Sequence, residues 1–281
     1  MPAMPSPPRL FATLVLILLL SGCAQAAIVA PATVTITIAG STEMRPVLND
    51  LTVAYSERHP NTLFAIRGGG SLLGETWLKN GGVDLAASTA FSPEENAAAG
   101  LVRIPIALDG VAIVVHSDNA VESLTLAQLR DLYSGRRLNW QDVGGLTGDV
   151  LLVSREDGSA TRMLFQERVM DGEGVSLTAV VMPTSGDVVE YVATHPDAIG
   201  YVSRAYLRVE NEQGGPGVRL VAIESKLPTD GEVGAQTYPL SRPLFLVRAK
   251  KQTGLPVQSF IDFVLSPVGQ EIVAKYHVPI R

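Results

Sequence analysis

The feature that most constrains this chain is a junction that recurs along it. A β-type run ends in glycine and hydroxyl residues and passes straight into a run of helical period. TVTITIAG (33–40) alternates β-branched and small residues and predicts a strand. In the following STEMRPVLNDLTVAYSERHP, Val47, Leu48, Leu51, Ala54 and Tyr55 recur at helical spacing. Ser41 or Thr42 is the natural N-cap of that helix, and His59–Pro60 ends it. TLFAIR predicts a second strand, GGGS opens a short helix over roughly 72–79, and VDLAAS (83–88) predicts a third strand. Strand, helix, strand, helix, strand is the grammar of a parallel α/β sheet.

The same alternation continues. Ser92–Pro93–Glu94–Glu95 reads as a helix start, with serine as cap and acids in the first turn. LVRIPIAL and GVAIVV predict two apolar strands, and SLTLAQLRDLYSG a helix ended by Gly135. DVLLVS feeds SREDGSA, and ATRMLFQERVM is a helix. SGDVVEYVATHP reads as a helix and AIGYVS as a strand. YPLSRPLFLVRAK is largely extended, and PVQSFIDFVLSPVGQEIVAKY is a helical pair broken near Pro267.

Three junctions share one chemistry: Gly40–Ser41–Thr42, Gly70–Ser71, and Gly158–Ser159–Ala160–Thr161. A strand-to-helix junction exposes unpaired N–H groups at the positive end of a helix dipole, and glycine lets the backbone approach a ligand. Serine and threonine add hydroxyls, which together make an oxyanion cradle. Each junction alone is better read as simple capping. Three in one α/β chain point to an anion site, because such helix starts converge at the carboxyl ends of the strands. Arg155 sharpens the third junction: its forked donors match two oxygens at once, and Asp157 is placed to orient it. The alternative for Arg155 is a surface salt bridge with Glu156 or Asp157.

Other chemistries find little support. GGSLLGET (69–76) nearly fits a nucleotide P-loop, but Glu75 stands where the lysine should be, the wrong sign for phosphates of ATP or GTP. The histidines, His59, His116, His195 and His277, are scattered, with no metal spacing and no GxSxG elbow. No catalytic residue, metal or cofactor is expected. The formal net charge of −6, without Lys/Arg clusters, argues against a nucleic-acid partner.

The N-terminus reads as a targeting segment. Arg9 is followed by LFATLVLILLL (10–20), too short to span a bilayer as a helix but fitting the apolar part of a signal peptide. LSGC (20–23) then resembles the bacterial lipobox, so residues 1–23 are expected to be a lipoprotein signal with Cys23 lipidated. Residues 24–32 would be a tether before the fold. Cys23 is the chain's only cysteine, which excludes an intramolecular disulfide.

Taken together, IAGSTEMRPVL, RGGGSLLG, GGVDLAASTA, LTLAQLRDLYSGRRLNWQDVGG, VSREDGSATRMLF, AIGYVSRAYL, YPLSRPLFLV and FIDFVLSPVGQEIV resemble, in order, the substrate-binding proteins of phosphate ABC importers. The resemblance implies a type II periplasmic-binding-protein fold: two α/β lobes, each a mixed sheet flanked by helices, joined by two crossing strands with the anion in the cleft. Lobe one would be 33–115 plus 247–281, and lobe two 116–246. Matched position by position, Ser41 and Thr42 fall on the first anion loop and Ser71 on the second. Arg155 falls on the phosphate-binding arginine, and Asp157 on the acid that pairs with it. Ser159, Ala160 and Thr161 fall on an S-G-T run, with Ala160 in place of glycine. Thr89 falls where part of the family carries an aspartate that accepts the proton of hydrogen phosphate and repels sulfate.

The implied function is a lipid-anchored, monomeric, extracytoplasmic binding protein that delivers inorganic phosphate to an ABC permease. Three alternatives stand beside it: the same fold holding sulfate, molybdate, tungstate or a phosphonate; a phosphate sensor; and, least supported by the motifs, a phosphate-ester hydrolase.

Overall fold

The computed structural model describes Met1 and residues 32–89, 100–207, 214–251 and 254–280. The expected signal segment, Cys23 and the helix start at Ser92 lie outside the described residues. Thr33–Arg281 forms one compact unit, separate from Met1–Ala32. No helix among the described residues is long and apolar enough to cross a membrane.

In chain order the elements are β1 Val34–Gly40, α1 Arg45–Arg58, β2 Thr62–Arg67, α2 Ser71–Lys79, β3 Leu85–Ser88, β4 Leu101–His116, β5 Ser123–Leu124 and α3 Leu126–Tyr133. There follow β6 Leu151–Arg155, α4 Ala160–Phe165, β7 Val180–Met182, α5 Ser185–Thr194, β8 Ala198–Ser203, β9 Val218–Ile223, α6 Asp230–Gly234, β10 Ser241–Ala249, α7 Leu255–Leu265, α8 Pro267–Val273 and β11 Val278–Pro279.

The sheet is mixed, with the strand path β2-β1-β3-β10-β4-β8-β6-β7. β1 pairs in parallel with β2 and β3, and β6 in parallel with β7 and β8. β10 and β4 run antiparallel between those two sets.

LVRIPIAL and GVAIVV, expected as two strands, form the single strand β4. The intervening Asp109–Gly110 reads as a turn signal, but Asp109 is fully buried with its carboxylate held by Arg242 and Ser203, so nothing breaks the strand there. β4 changes partners along its length. Leu101–Gly110 pairs with β10, while Val111–His116 pairs with β8 and β9. One apolar core packs α1, α7 and α8 on the β1 side, around Ile38, Leu51, Leu85, Leu246 and Phe260. Another lies on the β6 side around Ile113, Tyr133, Phe165, Ile199 and Tyr201. Burial of such side chains, about 1.5–3 kcal/mol each, is what drives both halves to close.

Candidate functional site

The first junction is shaped by Gly40, at φ 139°, where an added Cβ would lie 2.1 Å from the Ala87 carbonyl oxygen. Only glycine fits there. After it comes a 3₁₀ turn, Thr42–Met44, and α1 starts one turn later than expected. Neither Ser41 nor Thr42 caps α1, because Met44 holds the cap position without a side-chain bond. The Ser41 hydroxyl instead donates to Glu43 Oε2 at 2.6 Å.

The second junction folds onto the first. Gly70 N–H donates to the Gly40 carbonyl at 3.0 Å, and Gly68 lies against the Thr42 methyl. Gly70, at φ 83°, also meets the third junction: a Cβ there would sit 2.4 Å from the Gly158 carbonyl oxygen. Ser71 and Thr89 are both buried and form a pair, with Thr89 N–H donating to Ser71 Oγ at 3.0 Å.

The third junction places Arg155 at the end of β6, fully buried. Burying a charge requires partners, and Arg155 has them on every donor. Nη1 donates to Glu43 Oε1 and Ser185 Oγ, both at 3.0 Å. Nε donates to Glu156 Oε2 and the Met182 carbonyl, and Nη2 to Glu156 Oε1 and the Pro183 carbonyl. The parallel register that sets Arg155 opposite Met182 brings the β7–α5 junction into reach. Tyr201, stacked on Phe165 at 4.1 Å, accepts the Arg155 backbone N–H and so fixes the strand end. Of the two readings of Arg155, the pairing with Glu156 is present, but it is not a surface bridge.

Ser159 caps α4, accepting from Arg162 N–H at 3.3 Å. α4 passes without a break into a π-helical turn, Gln166–Met170. The N–H groups of Ala160 and Thr161, in the first turn, have no intrahelical acceptor. Ala160 is buried, so the methyl that replaces glycine is accommodated. Thr161 Oγ1 donates to Glu43 Oε1 and accepts from Arg242 Nη2, both at 3.0 Å.

Asp157 does not orient Arg155. Its side chain is 93% exposed and pairs with Arg162 at 3.0 Å. The exposed loop turns it outward, and Glu43 and Glu156 supply the carboxylates expected of it.

Four participants were not found in the sequence. Glu43 is 1% exposed and accepts from Ser41, Arg155 and Thr161. Burial pushes its carboxyl up, but Arg242, Arg155 and Ser41 together hold it below the ordinary range. Arg242 links the site to β4: Nε and Nη2 donate to Asp109 Oδ2 at 3.0 and 2.8 Å, while Nη1 is buried without a hydrogen-bond partner. Asp109 also accepts from Ser203 and lies 3.3 Å from His277 Nδ1. Burial opposes its charge, yet Arg242 and His277 depress its pKa well below the usual carboxylate range. Tyr206 O–H donates to the Thr42 carbonyl at 2.8 Å. Burial, then the Glu43 charge, push that phenol up to about 12, so it stays a donor.

These bonds join segments from both halves, and the mixed α/β architecture is that of the PBP-like binding proteins. The sequence matches the PBP superfamily domain over residues 25–268. It is 30% identical over 253 residues to the phosphate-binding protein PstS of Pseudomonas aeruginosa, covering 79% of this chain and 75% of that protein. To PstS of Bacillus subtilis it is 28% identical over 82% of this chain and 75% of the relative. A proposed phosphate ABC transporter substrate-binding protein from Clostridium perfringens, crystallised with bound phosphate, superposes with a TM-score of 0.81 at 32% identity over 88% of this chain and all of that one. An ABC-type phosphate transport receptor from Vibrio cholerae gives 0.74 at 30% identity over 86% and 99%. The chain belongs to the phosphate ABC importer substrate-binding protein family within the PBP superfamily.

Proposed function

We propose that this chain captures inorganic phosphate between its lobes and delivers it to an ABC permease, acting as a monomer on the extracytoplasmic side of a membrane. The observation that carries the reading is convergence. Arg155 and Thr161 from one lobe and Ser41 from the other bond the same Glu43 carboxylate, and Gly70, next to the Ser71–Thr89 pair, comes against Gly158 at the start of the third junction. Such donors engage one dehydrated anion together only when the cleft is closed, and closure is the signal a permease would read. The ligand set proposed is Ser41, Thr42, Ser71, Thr89, Arg155, Ser159, Ala160 and Thr161. We place the lobe boundary where β4 changes partners, at Gly110–Val111, with the return crossing at Leu240–Ser241, both earlier in the chain than the limits after 115 and 246 expected from the sequence.

Titration calorimetry with phosphate, sulfate, molybdate and tungstate tests the ligand. Millimolar phosphate that gave neither heat nor a rise in melting temperature would end the phosphate reading. Thr89 favours one second reading, another tetrahedral oxyanion, because a hydroxyl there lacks the charge that rejects sulfate. A permease and an ATPase encoded beside this chain would favour transport over sensing. The anchor is proposed at Cys23, and labelling with radioactive palmitate that persists in Cys23→Ser would remove it.

A further inference from the structure

The donors assigned to the anion are already in use. Glu43 extends from the β1–α1 turn to the β6–α4 junction, and its carboxylate takes Arg155 Nη1, Thr161 Oγ1 and Ser41 Oγ. Among the described residues it is the one side chain touched by candidate ligands from both lobes, and at 1% exposure it has no share of solvent to stabilise its charge. The hydrogen-bonded chain around it holds two guanidiniums, Arg155 and Arg242, and three carboxylates, Glu43, Glu156 and Asp109. Both carboxylates on Arg155 already use its donors, and His277 and Arg162 stand only at the edges of the cluster, so an oxyanion that takes Arg155 competes with a carboxylate already there. Asp109 is fixed between β10 and β8 by Arg242 and Ser203, and Glu156 touches only Arg155 from the rim. Glu43 alone sits on the ligand donors of both lobes.

We propose that the Glu43 carboxylate is a built-in occupant of the anion site, and that an oxyanion binds by displacing it from Arg155 and Thr161. The inference deepens the function proposed above and rests on it. Glu43 sets a threshold: a ligand is retained only if it engages these donors better than a tethered carboxylate does. The tether also reaches donors of the opposite lobe, as does the Tyr206–Thr42 bond, and Gly70 comes close to Gly158. A planar carboxylate offers two oxygens where a tetrahedral oxyanion offers more, so the α4 amides and the Ser71–Thr89 pair can add bonds to the incoming anion that Glu43 does not make.

The test is calorimetry of inorganic phosphate, sulfate and molybdate against the full chain and Glu43→Gln. The glutamine keeps the shape and an acceptor but removes the charge. Expected is a gain of at least tenfold in affinity for whichever oxyanion the wild type binds. Unchanged or weakened affinity overturns the proposal, because Glu43 would then be a bystander or a contact of the bound anion. If the wild type binds molybdate or sulfate but not phosphate, the ligand reading fails, while the Glu43 comparison is still decided by the anion that binds. A crystal structure of the wild type with that anion gives an answer independent of the variant's folding. Glu43 should have left Arg155, and a retained Glu43–Arg155 bond overturns displacement.

Discussion

Removing the Arg155 guanidinium should unfold this protein more readily before it affects any ligand. Arg155→Ala deletes six side-chain hydrogen bonds to five residues: Glu43, Glu156, Met182, Pro183 and Ser185. Breaking a buried ion pair from one side costs about 3–5 kcal/mol, because the remaining charge is stranded. Here the low end applies. Glu43 keeps Arg242, Ser41 and Thr161 near it, and Glu156 is 40% exposed and can turn to water. A loss of about 3 kcal/mol lowers the melting temperature of a chain this size by about 6–12 °C. Thermal unfolding followed by circular dichroism, without added oxyanion so that ligand linkage does not contribute, reads this directly. Adding Glu43→Gln to Arg155→Ala should return part of the loss, since it removes the stranded charge. A shift under about 2 °C for Arg155→Ala, or a double variant worse than the sum of the singles, would refute the view that these side chains are a coupled buried pair.

Three further outcomes follow from the geometry. Gly70→Ala should leave the fold cooperative but abolish tight anion binding, since the methyl would meet the Gly158 oxygen on closing; affinity within twofold of wild type would show that the approach is not needed. Tyr206→Phe removes a single bond across the cleft at Thr42, worth about 0.5–1.5 kcal/mol, so phosphate affinity should fall by about two- to tenfold, measured by calorimetry. Glu43 and Asp109 both have depressed carboxyl pKa values in the fold, so the stability they contribute is complete above the unfolded value near pH 4 and is lost as pH falls through the folded values. Denaturant midpoints should therefore be flat in this respect from about pH 8 to pH 5 and drop below about pH 4, a drop that Asp109→Asn should reduce.

The elements and the strand-to-helix junctions were legible because they are local: alternation in TVTITIAG, periodicity after Gly40, a cap at Ser159. The closing residues were not, because their partners are distant. Asp109 and Arg242 are separated by 133 residues, and Glu43 and Arg155 by 112. Glu43 carried no signal of its own, since an acid in the first turn after Gly-Ser-Thr is ordinary helix-dipole chemistry. Arg242 carried one: a guanidinium inside the apolar run PLSRPLFLV has to be paired if that run is buried. The Asp157 expectation went astray because sequence places both Glu156 and Asp157 beside Arg155, and only the loop conformation decides which one faces it.

The position of β10 between β3 and β4 bears on how the protein is made. The strand that completes the first lobe is among the last to leave the ribosome. Until Ser241–Ala249 has been synthesised, β3 and β4 have no neighbour to join them, and the N-terminal half cannot finish its sheet ahead of the C-terminal half. Most multi-domain chains can settle their first domain while the second is still emerging. This one must hold its first half open until nearly the whole chain is out, and then complete both halves together.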